Sequence, residues 1–246
     1  MTRPNLVRAS LTAFLLVIGM ASAQIDDQAR ALLEGMASQA GAAPDIQSLD
    51  MTSTMTIYGA DEPLVNESRT VIDYAGQRAA IVSAVMGMTT TMRYVEGTMT
   101  MSMNGMTLPL PPGMDAAFAD IFETGSAGDL LSDPEAVATY DGEVSYADVL
   151  SGRQVSYTGD FGVPGMQVDA TTIRFVFDAT GRLIGMVVPQ DASDMVMVFV
   201  GEPRVDGALF YDQDMYEVKD GAATLYAEMR YVDIALNEPV DETLFE

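Results

Sequence analysis

Apolar and polar residues alternate with a period of two over long stretches of this chain. That period fits an extended strand with one buried and one wetted face, and no helix can satisfy it. From Leu49 onward, Leu49, Met51, Met55 and Ile57 alternate with Asp50, Thr52, Thr54, Thr56 and Tyr58. Met99, Met101 and Met103 likewise alternate with Thr98, Thr100 and Ser102. Further strands are expected at Val65–Tyr74, Arg78–Met86, Thr89–Val95, Gln154–Asp160, Thr171–Phe177, Leu183–Val188, Met195–Val200, Ala208–Val218 and Thr224–Leu236. Turn residues separate them at Ala75-Gly76, Glu96-Gly97, Asp178-Ala179-Thr180-Gly181 and Lys219-Asp220-Gly221, with Asn104-Gly105 the strongest hairpin signal. In the last strand Leu225, Ala227, Met229 and Tyr231 share one parity, whereas Val232, Ile234 and Leu236 take the other, which requires a β-bulge or bend near Tyr231.

Two segments keep a helical period instead. Ala29, Leu32, Leu33, Met36 and Ala40 form one stripe, with Asp26 or Asp27 as the cap and Gly41 as the stop. Met114, Ala117, Phe118, Ile121 and Phe122 form another, after the break at Pro109–Gly113. Ser132 or Asp133 followed by Pro134 predicts a second short helix. The fold class expected is α+β: a curved antiparallel β-sheet with helices covering its apolar, concave face.

Residues 1–23 have the layout of an export signal: Arg3 and Arg8, an apolar stretch from Leu11 to Met20, then Ala21-Ser22-Ala23. Cleavage is expected between Ala23 and Gln24, leaving 24–246 as a single domain, periplasmic or secreted. The apolar stretch is about half the length that a spanning helix needs. With no cysteine to carry an N-terminal lipid, no permanent membrane anchor is expected. With no disulfide available, the fold depends on a hydrophobic core.

The formal charge is −24, and loss of Arg3 and Arg8 would make it −26. Such a surface repels phosphate backbones and anionic headgroups, so nucleic acid is not an expected partner. The chain has no histidine and no cysteine, which removes the usual bases, thiol nucleophiles and zinc ligands, so no enzyme activity and no cofactor is expected. Gly125-Ser126-Ala127-Gly128 lacks nucleophile-elbow spacing, and Asp212-Gln213-Asp214 lacks the glycine and closing glutamate of a calcium loop. Asn66-Glu67-Ser68 satisfies the glycosylation pattern.

Methionine is abundant, with 19 residues. Met fills irregular core gaps, and flexible thioethers also line cavities that repack around varied ligands. Thioethers bind Cu(I) as well, and Met99, Met101, Met103 and Met106 are the candidates, so a Met-rich copper-binding or oxidant-buffering protein is the alternative reading. A structural assembly protein with a merely packed core is a third.

Taken in order, several segments resemble the family of LolA-like periplasmic lipoprotein carriers and outer-membrane lipoprotein-sorting proteins. They are the signal, helix and strand through Tyr58; Gln77-Arg78 followed by Val95-Glu96-Gly97-Thr98-Met99; the Pro109–Thr124 insertion; and the ending Val232-Asp233-Ile234-Ala235-Leu236-Asn237-Glu238-Pro239-Val240-Asp241-Glu242-Thr243-Leu244-Phe245. The resemblance implies a half-open barrel whose concave face holds the acyl chains of lipids or lipoproteins, passed between membrane-bound donor and acceptor proteins. It implies an acyl-chain cavity lined by Met51, Met55, Met99, Met101, Met103, Ile173, Phe175 and Phe177. Met114, Phe118, Ile121 and Phe122 would form a lid, and Arg78 would tether it. Where the family often carries a tryptophan after the turn glycine, this chain has Met101.

Overall fold

The computed structural model describes residues 24–40, 46–59, 62–110, 119, 122, 130–131, 133, 135–159, 172–205 and 210–246. Fourteen strands form one open sheet: β1 (Gln24–Ile25), β2 (Ser48–Ile57), β3 (Leu64–Asp73), β4 (Arg78–Val85), β5 (Met88–Val95), β6 (Thr98–Met103), β7 (Met106–Leu108), β8 (Val137–Tyr146), β9 (Leu150–Thr158), β10 (Ile173–Phe177), β11 (Leu183–Pro189), β12 (Asp194–Val200), β13 (Asp212–Lys219) and β14 (Ala222–Leu236). Their order is β1-β8-β9-β10-β11-β12-β13-β14-β2-β3-β4-β5-β6-β7, so among the described residues β1 and β7 are the edges and the sheet does not close. Every pairing is antiparallel except β1 with β8. The curved, mostly antiparallel sheet matches the expected architecture.

The hairpins follow local chemistry. Glu96-Gly97, Asn104-Gly105 and Asp220-Gly221 each place two successive residues at positive φ, the geometry of a two-residue hairpin turn whose twist matches the strands. β14 shifts register between Tyr231 and Asp233. Val232, at that bulge, is exposed, and Ile234 and Leu236 return to the face that Tyr231 occupies.

Helix α1 (Asp27–Ala40) starts where Asp26 Oδ1 accepts the Ala29 N–H at 2.7 Å. Its other oxygen accepts the Tyr140 N–H, and these backbone donors hold the Asp26 carboxyl below its ordinary range. Ala29, Leu32, Leu33 and Met36 pack with Val155, Tyr157, Phe175, Phe177 and Leu183 in one buried cluster. The face that receives α1 is the inner face below. α1 packs on the β8–β11 part of that face. Of the second predicted helix only Ala119 and Phe122 are described, both helical.

One expectation is corrected. In place of a helix after Pro134, Asp133 Oδ1 accepts the Glu135 N–H at 2.9 Å in a tight turn, and β8 begins at Val137. The Asp-Pro signal marked a turn that feeds a strand, and the short side chain of Ala138 on the buried side hid the alternation. β9 accordingly begins at Leu150 rather than Gln154.

Candidate functional site: an uncharged stretch of the inner face

Directly paired residues on neighbouring strands share a face, so the registers assign every strand residue to a side. Three levels cross the inner face between β14 and β7. The first runs Leu236, Leu49, Ile72, Ala79, Tyr94, Met99. The second runs Ile234, Met51, Thr70, Ile81, Met92, Met101, Leu108. The third runs Tyr231, Ser53, Ser68, Ser83, Thr90, Met103, Met106. Beyond them lie Met229, Met55, Asn66, Val85 and Met88.

None of these residues is charged. The charged residues of β14 and β2 to β5 (Glu228, Arg230, Asp233, Asp50, Glu67, Arg69, Asp73, Arg78 and Arg93) all fall on the outer face. In a chain of net charge −24, that is a sharp segregation. The methionines obey it too: every one in a described strand lies on the inner face, including Met186, Met197 and Met215, which are direct cross-strand neighbours on β11, β12 and β13.

The two halves of this face differ in packing. Ile173, Phe175 and Phe177 are 5%, 1% and 0% exposed and are sealed under α1. They are core here, and a ligand would reach them only if the helix moved. Met51, Met55, Met101 and Met103 are half-buried, whereas Met99, at 2%, is buried beside Tyr94. Phe122 covers the first level: its ring stacks on Tyr94 at 5.5 Å and meets Tyr74 edge-on at 6.3 Å. Met114, Phe118 and Ile121 lie outside the described residues. A cavity of about 470 Å³ opens beside Phe122, bounded by Gly76, Gln77, Arg78, Tyr94, Glu96 and Gly97.

The described partners of Arg78 are Asp73, Glu242 and the Phe245 ring, whose centroid lies 4.5 Å from the guanidinium carbon. Glu242, then Asp73, pushes the Arg78 pKa up despite desolvation. Arg93 donates to the Leu244 carbonyl at 2.7 Å, and Arg69 pairs with Asp50 and Asp241. These arginines bind the C-terminal tail to the outer face, around the buried Val71 and Ala80.

Met99, Met101 and Met103 follow one strand at alternate positions, so the first and last stand about 13 Å apart along the backbone. With Met106 they cannot all converge on one ion, which disposes of the copper site as a four-thioether centre. Among the described residues there is no cluster of His, Cys, Asp or Glu suited to a metal, and no helix is long and apolar enough to cross a membrane. Asn66 sits mid-strand on the inner face between Met55 and Val85, a poor place for a glycan.

Sequence reasoning did not single out Met92, Met186, Met197, Met215 or Met229 for this face. For Met92, Met215 and Met229 the alternation with polar neighbours was the available signal, whereas Met186 and Met197 lie in apolar runs whose two faces the pattern does not separate.

No protein-family model matches the chain, and no curated protein matches it. Among solved structures, the fold is similar to that of a DUF1329 family protein from Desulfovibrio piger: 12% identity, 90% of this chain and 98% of that one, TM-score 0.51. A putative outer membrane lipoprotein-sorting protein domain from Vibrio parahaemolyticus aligns at 11% identity over 88% of this chain and 97% of its own, TM-score 0.49. At such identities the first likeness is one of fold alone, and the second is too loose to bear on activity.

Proposed function

We propose that this protein is a non-enzymatic carrier, exported by residues 1–23, that holds the acyl chains of a lipid or lipoprotein on the inner face of its β14–β7 half. The observation that carries this reading is the segregation of charge: seven adjacent strands present no charged side chain on one face, and Met51, Met55, Met92, Met101, Met103 and Met229 on it are half-buried. A fully packed core would bury them as Phe175 and Phe177 are buried; a wetted surface of this chain would carry carboxylates. Flexible thioethers suit acyl chains of differing length and shape. Membrane-bound donor and acceptor proteins complete the proposed cycle.

The test is native mass spectrometry of the protein purified from its own compartment, followed by organic extraction and by titration with a fluorescent fatty acid. Co-purifying lipid masses and saturable binding are expected. Protein that carries no lipid and binds no fatty acid rules the carrier out.

A further inference from the structure

The third level of the inner face is not apolar. Ser53, Ser68, Ser83 and Thr90 stand side by side on β2, β3, β4 and β5, a band of hydroxyls spanning roughly 14 Å at the usual strand spacing. The Ser53 and Ser68 hydroxyls bond each other at 2.9 Å. Two residues along β3 from Ser68, the Asn66 side-chain oxygen is shielded from solvent and accepts no hydrogen bond. Hydrocarbon flanks the band: Met51, Ile81 and Met92 on one side, Met55 and Val85 on the other.

A plain acyl chain laid across this surface would cover the hydroxyls and leave the Asn66 oxygen unsatisfied, and a buried acceptor without a donor is costly. A ligand that brings its own O–H or N–H to that level removes the penalty once the Asn66 amide turns to meet it, and its carbonyl can accept from the serine and threonine hydroxyls. Resting on the carrier reading, we infer that the preferred cargo is an acyl lipid bearing a hydroxyl or an amide N–H, whose polar group lies on the Ser53–Thr90 band beside Asn66 while hydrocarbon occupies the methionine levels on either side.

The experiment displaces a fluorescent fatty acid from the full chain with plain stearate, with hydroxystearates carrying the hydroxyl near the head or mid-chain, and with an N-acyl amide of similar length. At least one hydroxylated or amide ligand should bind about tenfold more tightly than stearate, the effect of one satisfied hydrogen bond. Asn66→Leu and, separately, Ser83→Ala should shrink that ratio toward one. Ser83→Ala removes one hydroxyl from a half-buried site and keeps the test usable if Asn66→Leu unfolds. Tight stearate binding with no preference for any polar ligand, or a preference that survives in a folded Asn66→Leu protein, overturns this inference alone. Failure of every ligand to bind overturns the carrier reading and this inference together.

Discussion

Arg78 holds Glu242 through two parallel N–H···O bonds of 2.6 and 2.7 Å, joining β4 to a residue 164 positions later in the chain. The fork geometry matches a carboxylate, and the Phe245 ring lies against the same guanidinium. The C-terminal tail is thereby fastened to the outer face, opposite the proposed cargo surface. Arg78→Ala should raise hydrogen exchange across residues 241–246 and lower the unfolding temperature, with fatty-acid affinity unchanged. A loss of affinity with an undisturbed tail would instead give Arg78 the lid-tethering role that the family resemblance implies.

The tail should also respond to acid. The Arg78 bond holds the Glu242 carboxyl below its ordinary 4.5, and the Thr243 hydroxyl holds Asp241 below 3.8. Both folded-state values are depressed, so their contribution is present above the unfolded values and is lost as pH falls through the folded ones. Protection factors across the tail, with the intrinsic exchange rate at each pH divided out, should fall only below about pH 4.5 as the solution is taken from pH 6 to pH 3. Arg78→Ala should flatten the Glu242 part of that profile.

A charge placed on the inner face separates its packed half from its accessible half. Phe175→Asp introduces a carboxylate beneath α1 at a position 1% exposed, and should cost several kcal/mol or prevent folding. Met101→Asp, at a half-buried position that water can reach, should cost much less while reducing fatty-acid affinity at least tenfold. Urea unfolding and ligand displacement on both variants check the pair. Equal destabilisation would mean that Met101 is packed like Phe175.

Two glycines should respond in opposite directions. A Cβ at Gly185 would lie 2.5 Å from the Met197 carbonyl oxygen and 2.8 Å from a Leu150 methyl, so Gly185→Ala should destabilise by about 1–3 kcal/mol. Gly35, inside α1, has nothing within 4 Å of its would-be Cβ, and Gly35→Ala should stabilise by about 0.5–1 kcal/mol. Denaturant midpoints measure both.

Local chemistry made most of the strands legible. Period-two alternation located β2 to β6 and β10 to β14 to within a few residues, and the turn dipeptides placed their hairpins because positive φ at Asn104-Gly105 or Asp220-Gly221 is a property of the turn itself. The parity break at Tyr231 announced a bulge or a bend, and β14 shifts register there. β8 was missed, since the short Ala138 made a weak apolar signal beside an Asp-Pro turn.

What the sequence by itself determined was which residues share a face within each strand. Only the tertiary structure decided which strands adjoin and which part of the shared face is filled. β14 pairs with β2 across more than 150 residues of chain, a non-local contact that no strand's own pattern encodes. Phe175 and Met101 both sit on the apolar, inner parity of their strands. One is sealed because α1 lies over it, and the other stays half-buried on the side that α1 does not reach. Alternation reports a preference for leaving water, but whether protein or ligand meets that preference depends on what the rest of the chain places above it.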